Sequence, residues 1–142
     1  NKLQKVFDEG LFDPANEPDI AYPYLFSYFK GEEWRTAKIV SELLDKHYTT
    51  RPDGLPGNDD TGTMSAWAVF SMMGFYPDCP GHPSYTLTTP RFDSVEISGG
   101  PVIRKKGDGL LIKSMTLDGK RLSTYRISHD DLKDGVLTVY SR

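Results

Sequence analysis

Two adjacent carboxylates, Asp59 and Asp60, lie in the run Gly57-Asn58-Asp59-Asp60-Thr61-Gly62, directly before an apolar segment that starts Thr63-Met64-Ser65-Ala66-Trp67. Side-chain oxygens gathered where a helix begins can hold a cation, take a proton from water or receive a sugar hydroxyl. Neighbours on a regular helix or strand could not point the same way. In an irregular turn, one can face a pocket while the other caps the following helix. The plainer reading makes both of them acids at a helix N-terminus, worth about 0.3–1 kcal/mol in the helix dipole. It gives no role to Gly57, Gly62 or Asn58, so the two readings stand level.

An oxygen-rich loop invites a calcium motif, and the EF-hand pattern can be tested directly. Begun at Asp53, its third position is Leu55; begun at Asn58, its sixth is Thr63 where glycine is required. Neither register works, so any metal here would draw ligands from several segments. Asn16-Glu17-Pro18 is a second acidic turn, which taken alone reads equally well as a proline-started helix with an acidic cap. His47, His82 and His129 match no zinc spacing. Cys79 has no basic neighbour to activate it and reads as a buried, inert thiol. Trp34 falls on the apolar face of its helix and reads as core. Trp67, one turn after the acidic pair, is open between core and pocket wall.

The elements that must position these residues follow from periodicity. A helix is expected from Asp19 to Phe29, with Pro23 in its first turn or kinking it. A second, from Glu32 to Lys46, carries Trp34, Ala37, Ile39, Val40, Leu43 and Leu44 at helical spacing. The short Lys30-Gly31 joint makes the pair an antiparallel hairpin. An irregular connection from Tyr48 to Gly62 leads to a third helix, Thr63 to Met73, closed by Gly74. From Ser84 the period becomes two. Strands are expected at 85–88, 94–97, 110–112, 114–117 and 136–140, with a hairpin turn at Asp118-Gly119 and a capped helical turn at Ser128. The expected class is α+β, with residues 1–83 helical and 84–142 a small antiparallel β unit.

Composition narrows the function classes. The 142 residues, 37% hydrophobic and 12% aromatic, suit a globular domain or part of one, and the net charge of −3 argues against nucleic acid. The longest basic run, Arg104-Lys105-Lys106, reads as a solvated turn. No apolar stretch approaches a membrane span of about 18 residues. One cysteine leaves the redox compartment open. The start, Asn1-Lys2-Leu3-Gln4, is neither an initiator nor a signal peptide, so the chain is expected to begin inside a longer product.

Asn16-Glu17-Pro18, the acidic loop through Met64-Ser65-Ala66-Trp67, and Gly74-Phe75-Tyr76-Pro77 with Cys79-Pro80-Gly81 together resemble the C-terminal part of glycoside hydrolase family 92. The tail also resembles it, from Leu117-Asp118-Gly119-Lys120 through Ile127-Ser128-His129-Asp130-Asp131-Leu132 to Gly135-Val136-Leu137. The resemblance runs in order from Asn16 to the end.

It implies the last helices of an (α/α)6 barrel followed by the β unit, with an N-terminal β-sandwich and the rest of the barrel lying in the parent chain. It also implies a calcium-dependent, inverting exo-α-mannosidase acting on terminal α-mannosides of glycans, α-1,2 linkages among them, in a bacterial periplasm or outside the cell. In such a family an acid and a base stand about 6.5–9.5 Å apart. Adjacent Asp59 and Asp60 cannot supply both. The base falls to Asp60 first and Asp59 second, the acid lies upstream of this chain, and the 142 residues alone are expected to be inactive. Asn16, Glu17, Asn58 and Trp67 become candidates for touching substrate, and Glu17, Asn58 and Asp59 for calcium. Two departures affect subsite detail: Asp19-Ile20-Ala21 stands where the family often has histidines, and Ala68 where an aromatic often follows the tryptophan. The rival from another class is a non-catalytic carbohydrate-binding or structural module.

Overall fold

A computed structural model describes residues 2–142. Helix α1 (Lys2–Asp8) is followed by two stretches of 3-10 helix, Glu17–Asp19 and Tyr22–Tyr28. Helices α2 (Glu33–His47) and α3 (Thr63–Met73) come next, α3 being entered through a third 3-10 turn, Asp60–Gly62. Strands β1 (Phe75–Tyr76), β2 (Ser84–Leu87), β3 (Ser94–Glu96), β4 (Val102–Lys106), β5 (Ile112–Leu117), β6 (Lys120–Arg121) and β7 (Arg126–Ser128) lead to the short helix α4 (His129–Leu132) and the final strand β8 (Val136–Ser141).

The helix expected from Asp19 to Phe29 is replaced by the two 3-10 stretches. Pro18 and Pro23 each sit at the start of one, and neither can donate to a preceding carbonyl. The bonds that close these stretches run three residues back, Asp19 to Asn16 and Tyr24 to Ala21. The second stretch still packs along α2, burying Tyr24 and Phe26 against Ile39, Val40 and Leu43. Helix α1 adds Phe7, whose ring lies 5.1 Å from Phe12 and 5.9 Å from Phe26. Trp34, expected in the core, is 42% exposed: its helix turns another face inward, and Arg35 lies over its ring at 4.7 Å.

The strands form two sheets, ordered β1-β2-β7 and β3-β4-β8-β5-β6. The antiparallel unit expected from the sequence is therefore a mixed one, because β4 and β8 pair in parallel. The chain between them, through β5 to α4, is long enough to carry it back to the same end of the sheet. The basic run Arg104-Lys105-Lys106 lies in β4 and not in a turn. Of the strands expected at 110–112 and 114–117, Leu110 and Leu111 lie outside any strand, and Ile112 joins the second in one strand, β5, with a register shift between Ile112 and Ser114. Asp118 and Gly119 take φ of 49° and 79° in the β5–β6 turn, as the favoured hairpin requires. Ser128 caps α4 by accepting from the Asp131 N–H at 3.1 Å. Cys79, expected to be buried, is exposed, because it sits in the loop between β1 and β2.

Two apolar cores result, and α3 belongs to both. Trp67 and Ala68 complete the core of the 3-10 stretch and α2. Phe70 and Met73, on its other side, pack on the core built from Leu87, Ile103, Leu137 and Val139. A buried polar knot joins the layers. The Asp78 carboxylate accepts from Tyr28 Oη and Thr86 Oγ1, both at 2.7 Å, and from Arg126 Nη1 at 3.3 Å. The Arg126 guanidinium also lies over the Tyr28 ring at 4.3 Å. Asp78→Ala takes the acceptor from Tyr28 and Thr86 and removes the counter-charge of the half-buried Arg126, which keeps only the Thr86 and Ser84 hydroxyls as acceptors. The expected loss of stability is about 3 kcal/mol, read by urea unfolding, with Cys79→Ala beside it near zero as an exposed control.

Candidate active-site loop

The backbone before α3 is tightly wound. Thr61 and Gly62 are both left-handed, with φ of 53° and 76°. Glycine takes that region freely, whereas a β-branched threonine is strained there. The strain is held by hydroxyls: Thr61 Oγ1 and Thr63 Oγ1 both donate to the Asp60 carbonyl, at 2.7 and 2.8 Å. The Asp59 carbonyl also receives the Gly62 N–H at 2.9 Å.

The two aspartates have separate tasks. Asp59 Oδ1 accepts the Ser65 N–H at 2.9 Å, and its Oδ2 accepts the Ser65 hydroxyl. It thus satisfies one of the amides that a helix start leaves without an internal partner. The Ser65 hydroxyl first, then the Ser65 amide, holds the Asp59 carboxyl below the usual carboxylate range. Asp60 is exposed, and among the described residues its carboxylate has no hydrogen-bonding partner. One acid anchors the loop and the other is left free.

The second acidic turn is brought alongside. A Cβ placed on Gly57 would lie 2.7 Å from Ala15 Cβ, so this glycine is what allows the acidic loop to touch the residue before Asn16. On the far side of that turn, the Trp67 indole Nε1–H donates to the Ile20 carbonyl at 2.9 Å. Asn16, Glu17 and Asn58 are all exposed. Trp67 itself is 2% exposed, its ring stacked on Tyr48 at 5.4 Å and edge-on to Tyr24 at 6.4 Å. That corrects its candidacy as a substrate contact: no face of the ring is left for a sugar. Tyr48, passed over in the sequence, borders the acidic loop. Burial, with smaller contributions from Tyr76 and Asp59, pushes its hydroxyl up to about 12, so it is neutral across the physiological range.

Asn16, Glu17, Asn58 and Asp59 offer the hard oxygen donors that calcium takes. Among the described residues, however, no three His, Cys, Asp or Glu side chains are grouped to hold a metal. Their donor chemistry is of the kind calcium takes, and among the described residues these two turns do not by themselves form a metal site.

The Asp59 clamp has a measurable consequence. A carboxyl depressed on folding contributes stability above its unfolded pKa, near 3.9, and that contribution is lost as pH falls through the lower folded value. Ser65→Ala is expected to return the Asp59 pKa toward the ordinary range in a carbon-detected NMR titration. In that variant, the share of acid unfolding due to Asp59 is expected to shrink and not to vanish, because the backbone amides of Met64 and residue 65 still hold the carboxylate.

Residues 1–141 match the glycosyl hydrolase family 92 catalytic domain. The chain is 30% identical, over 94% of its length, to an uncharacterized secreted glycosidase of Arthroderma benhamiae. It resembles the family GH92 α-mannosidase BT3965 of Bacteroides thetaiotaomicron at a TM-score of 0.83, with 32% identity over 92% of this chain. A structure of BT3965 in complex with mannoimidazole gives a TM-score of 0.82 with 31% identity over 91% of this chain. The inverting mannosidase BT2199 of the same organism follows at 0.73, with 32% identity over 89% of this chain. The chain spans only 18% of the length of the Arthroderma relative, and 19%, 18% and 18% of those three structures in turn. It belongs to glycoside hydrolase family 92, as one stretch of that family's catalytic domain.

Proposed function

We propose that this chain is the base-bearing part of an inverting exo-α-mannosidase that removes terminal α-mannosyl residues, α-1,2-linked ones included, from glycans. The observation that carries this reading is the free Asp60 carboxylate, exposed at the mouth of a loop whose other acid is bound to Ser65 and whose backbone is stitched to α3. A carboxylate in that state can accept a proton from water as the water attacks the anomeric carbon. Asp59 is unsuited to be its catalytic partner, being its neighbour in sequence and committed to Ser65. The proton for the leaving oxygen therefore comes from an acid elsewhere in the catalytic domain, at the wider spacing that inversion requires, about 6.5–9.5 Å.

In this reading the helices are the last of an (α/α)6 barrel, with the β unit closing the domain. Asn16, Glu17 and Asn58 present oxygens to the sugar or to calcium, with Asp59 ranking behind them because Ser65 occupies both of its oxygens. Calcium, when bound by these oxygens, would help orient the sugar and favour a distorted ring. The parent protein is proposed to work outside the cytoplasm, in a periplasm or the extracellular space. The description of the Arthroderma relative as secreted supports an exported enzyme, and no helix among the described residues is long and apolar enough to cross a membrane.

In the full-length protein, Asp60→Asn is expected to lower kcat toward α-1,2-linked mannobiose by about 10²–10⁴-fold with the fold retained. Near-wild-type turnover would refute the base. Chelation is expected to abolish activity and added calcium to restore it. The 142-residue chain alone is expected to show no turnover, and measurable hydrolysis by it would contradict the division of acid and base between two parts of the domain.

A further inference from the structure

We propose that Trp67 is a positioning residue that, together with Gly57, sets the register of Asp60 against the Asn16–Glu17 turn. The proposal rests on the reading of Asp60 as the base. A buried indole needs an acceptor for its N–H, and any carbonyl in the core would satisfy it. The acceptor here is Ile20, whose own amide bonds back to the Glu17 carbonyl at 3.3 Å and so closes the turn that carries Glu17. At the other end, Trp67 and Ser65 lie on the same helix, and Ser65 grips Asp59, the residue before Asp60. A short rigid chain of links therefore runs from one acidic turn to the other. Stacking on Tyr48 and the edge of Tyr24 fix the ring, so the indole N–H has one direction to point.

Gly57 closes the same gap from the other side. A methyl group there would sit 2.7 Å from Ala15 Cβ, where carbons rest at about 3.5–4.0 Å. The two turns would have to part by roughly 1 Å, and Ala15 has no flexible side chain with which to give way. A misplacement of about that size between a base and its target can cost on the order of 100-fold in rate. Each turn would keep its own sugar contacts, so the loss belongs in kcat and not in KM.

The test uses the full-length enzyme with α-1,2-linked mannobiose. Trp67→Phe keeps most of the ring and removes the N–H; Gly57→Ala alters an exposed loop residue, its methyl crowding Ala15 and making only ordinary contact, at 3.5 Å, with the buried Met64. Both are expected to lower kcat by about 10–100-fold with KM within about threefold, the folded fraction being checked by circular dichroism. Trp34→Phe, at an exposed tryptophan, should behave as wild type. Folded Trp67→Phe and Gly57→Ala enzymes with wild-type kcat, or with the loss wholly in KM, would overturn the proposal. If Trp67→Phe does not fold, Gly57→Ala decides alone. Asp60→Asn, run in parallel, separates the two claims. Full activity there removes the base itself, whereas a dead Asp60→Asn beside an active Gly57→Ala removes only the positioning.

Discussion

The hydrogen bond from the Trp67 indole to the Ile20 carbonyl is the contact on which the rest of this chain depends. It is made in the dry interior between Tyr48 and Tyr24, where an unsatisfied N–H would be costly. It joins the 3-10 turn that carries Glu17 to the helix that carries the acidic loop. Without it, the two oxygen-rich turns would be joined only where Gly57 meets Ala15.

The same helix also ties that layer to the sheets. One side of α3 completes the core around Tyr24 and Phe26, and the other packs Phe70 and Met73 on the core around Leu137 and Val139. The Asp78–Arg126–Tyr28 knot joins the layers a second time, with polar groups in place of apolar ones. A loop built on this helix is therefore held by both cores. That suits a residue such as Asp60, whose task would be to keep a fixed geometry while remaining open to water.

Much of this was legible in the residues. The bounds of α3, its glycine terminus, the Asp118-Gly119 turn and the Ser128 cap each depend on local chemistry, and each appears where that chemistry puts it. Most of what failed depends on long-range context. Helical spacing in α2 marks an apolar face but not its partner, so Trp34 was expected inside and lies outside. Two prolines turned an expected α-helix into 3-10 turns. The charges of Arg104-Lys105-Lys106 hid a strand of which only Ile103 is buried. The parallel pairing of β4 with β8 could not be read locally, because it joins segments separated by two other strand pairings. At the site, the two acidic turns were recognisable one by one. Their contact through Gly57 and Ala15 was not, nor was the burial of Trp67 against Tyr48 and Tyr24.

In the proposed reading Asp60, and not Asp59, faces the reacting carbon across from the Glu17 turn. A crystal structure of the full-length protein with mannoimidazole bound tests it most directly. The expected result is a water held by Asp60 at about 2.6–3.2 Å and aimed at the anomeric position, with Asp59 still bound to Ser65. A ligand whose attacking water is held by Asp59, or an Asp60 turned away from the sugar, would contradict it.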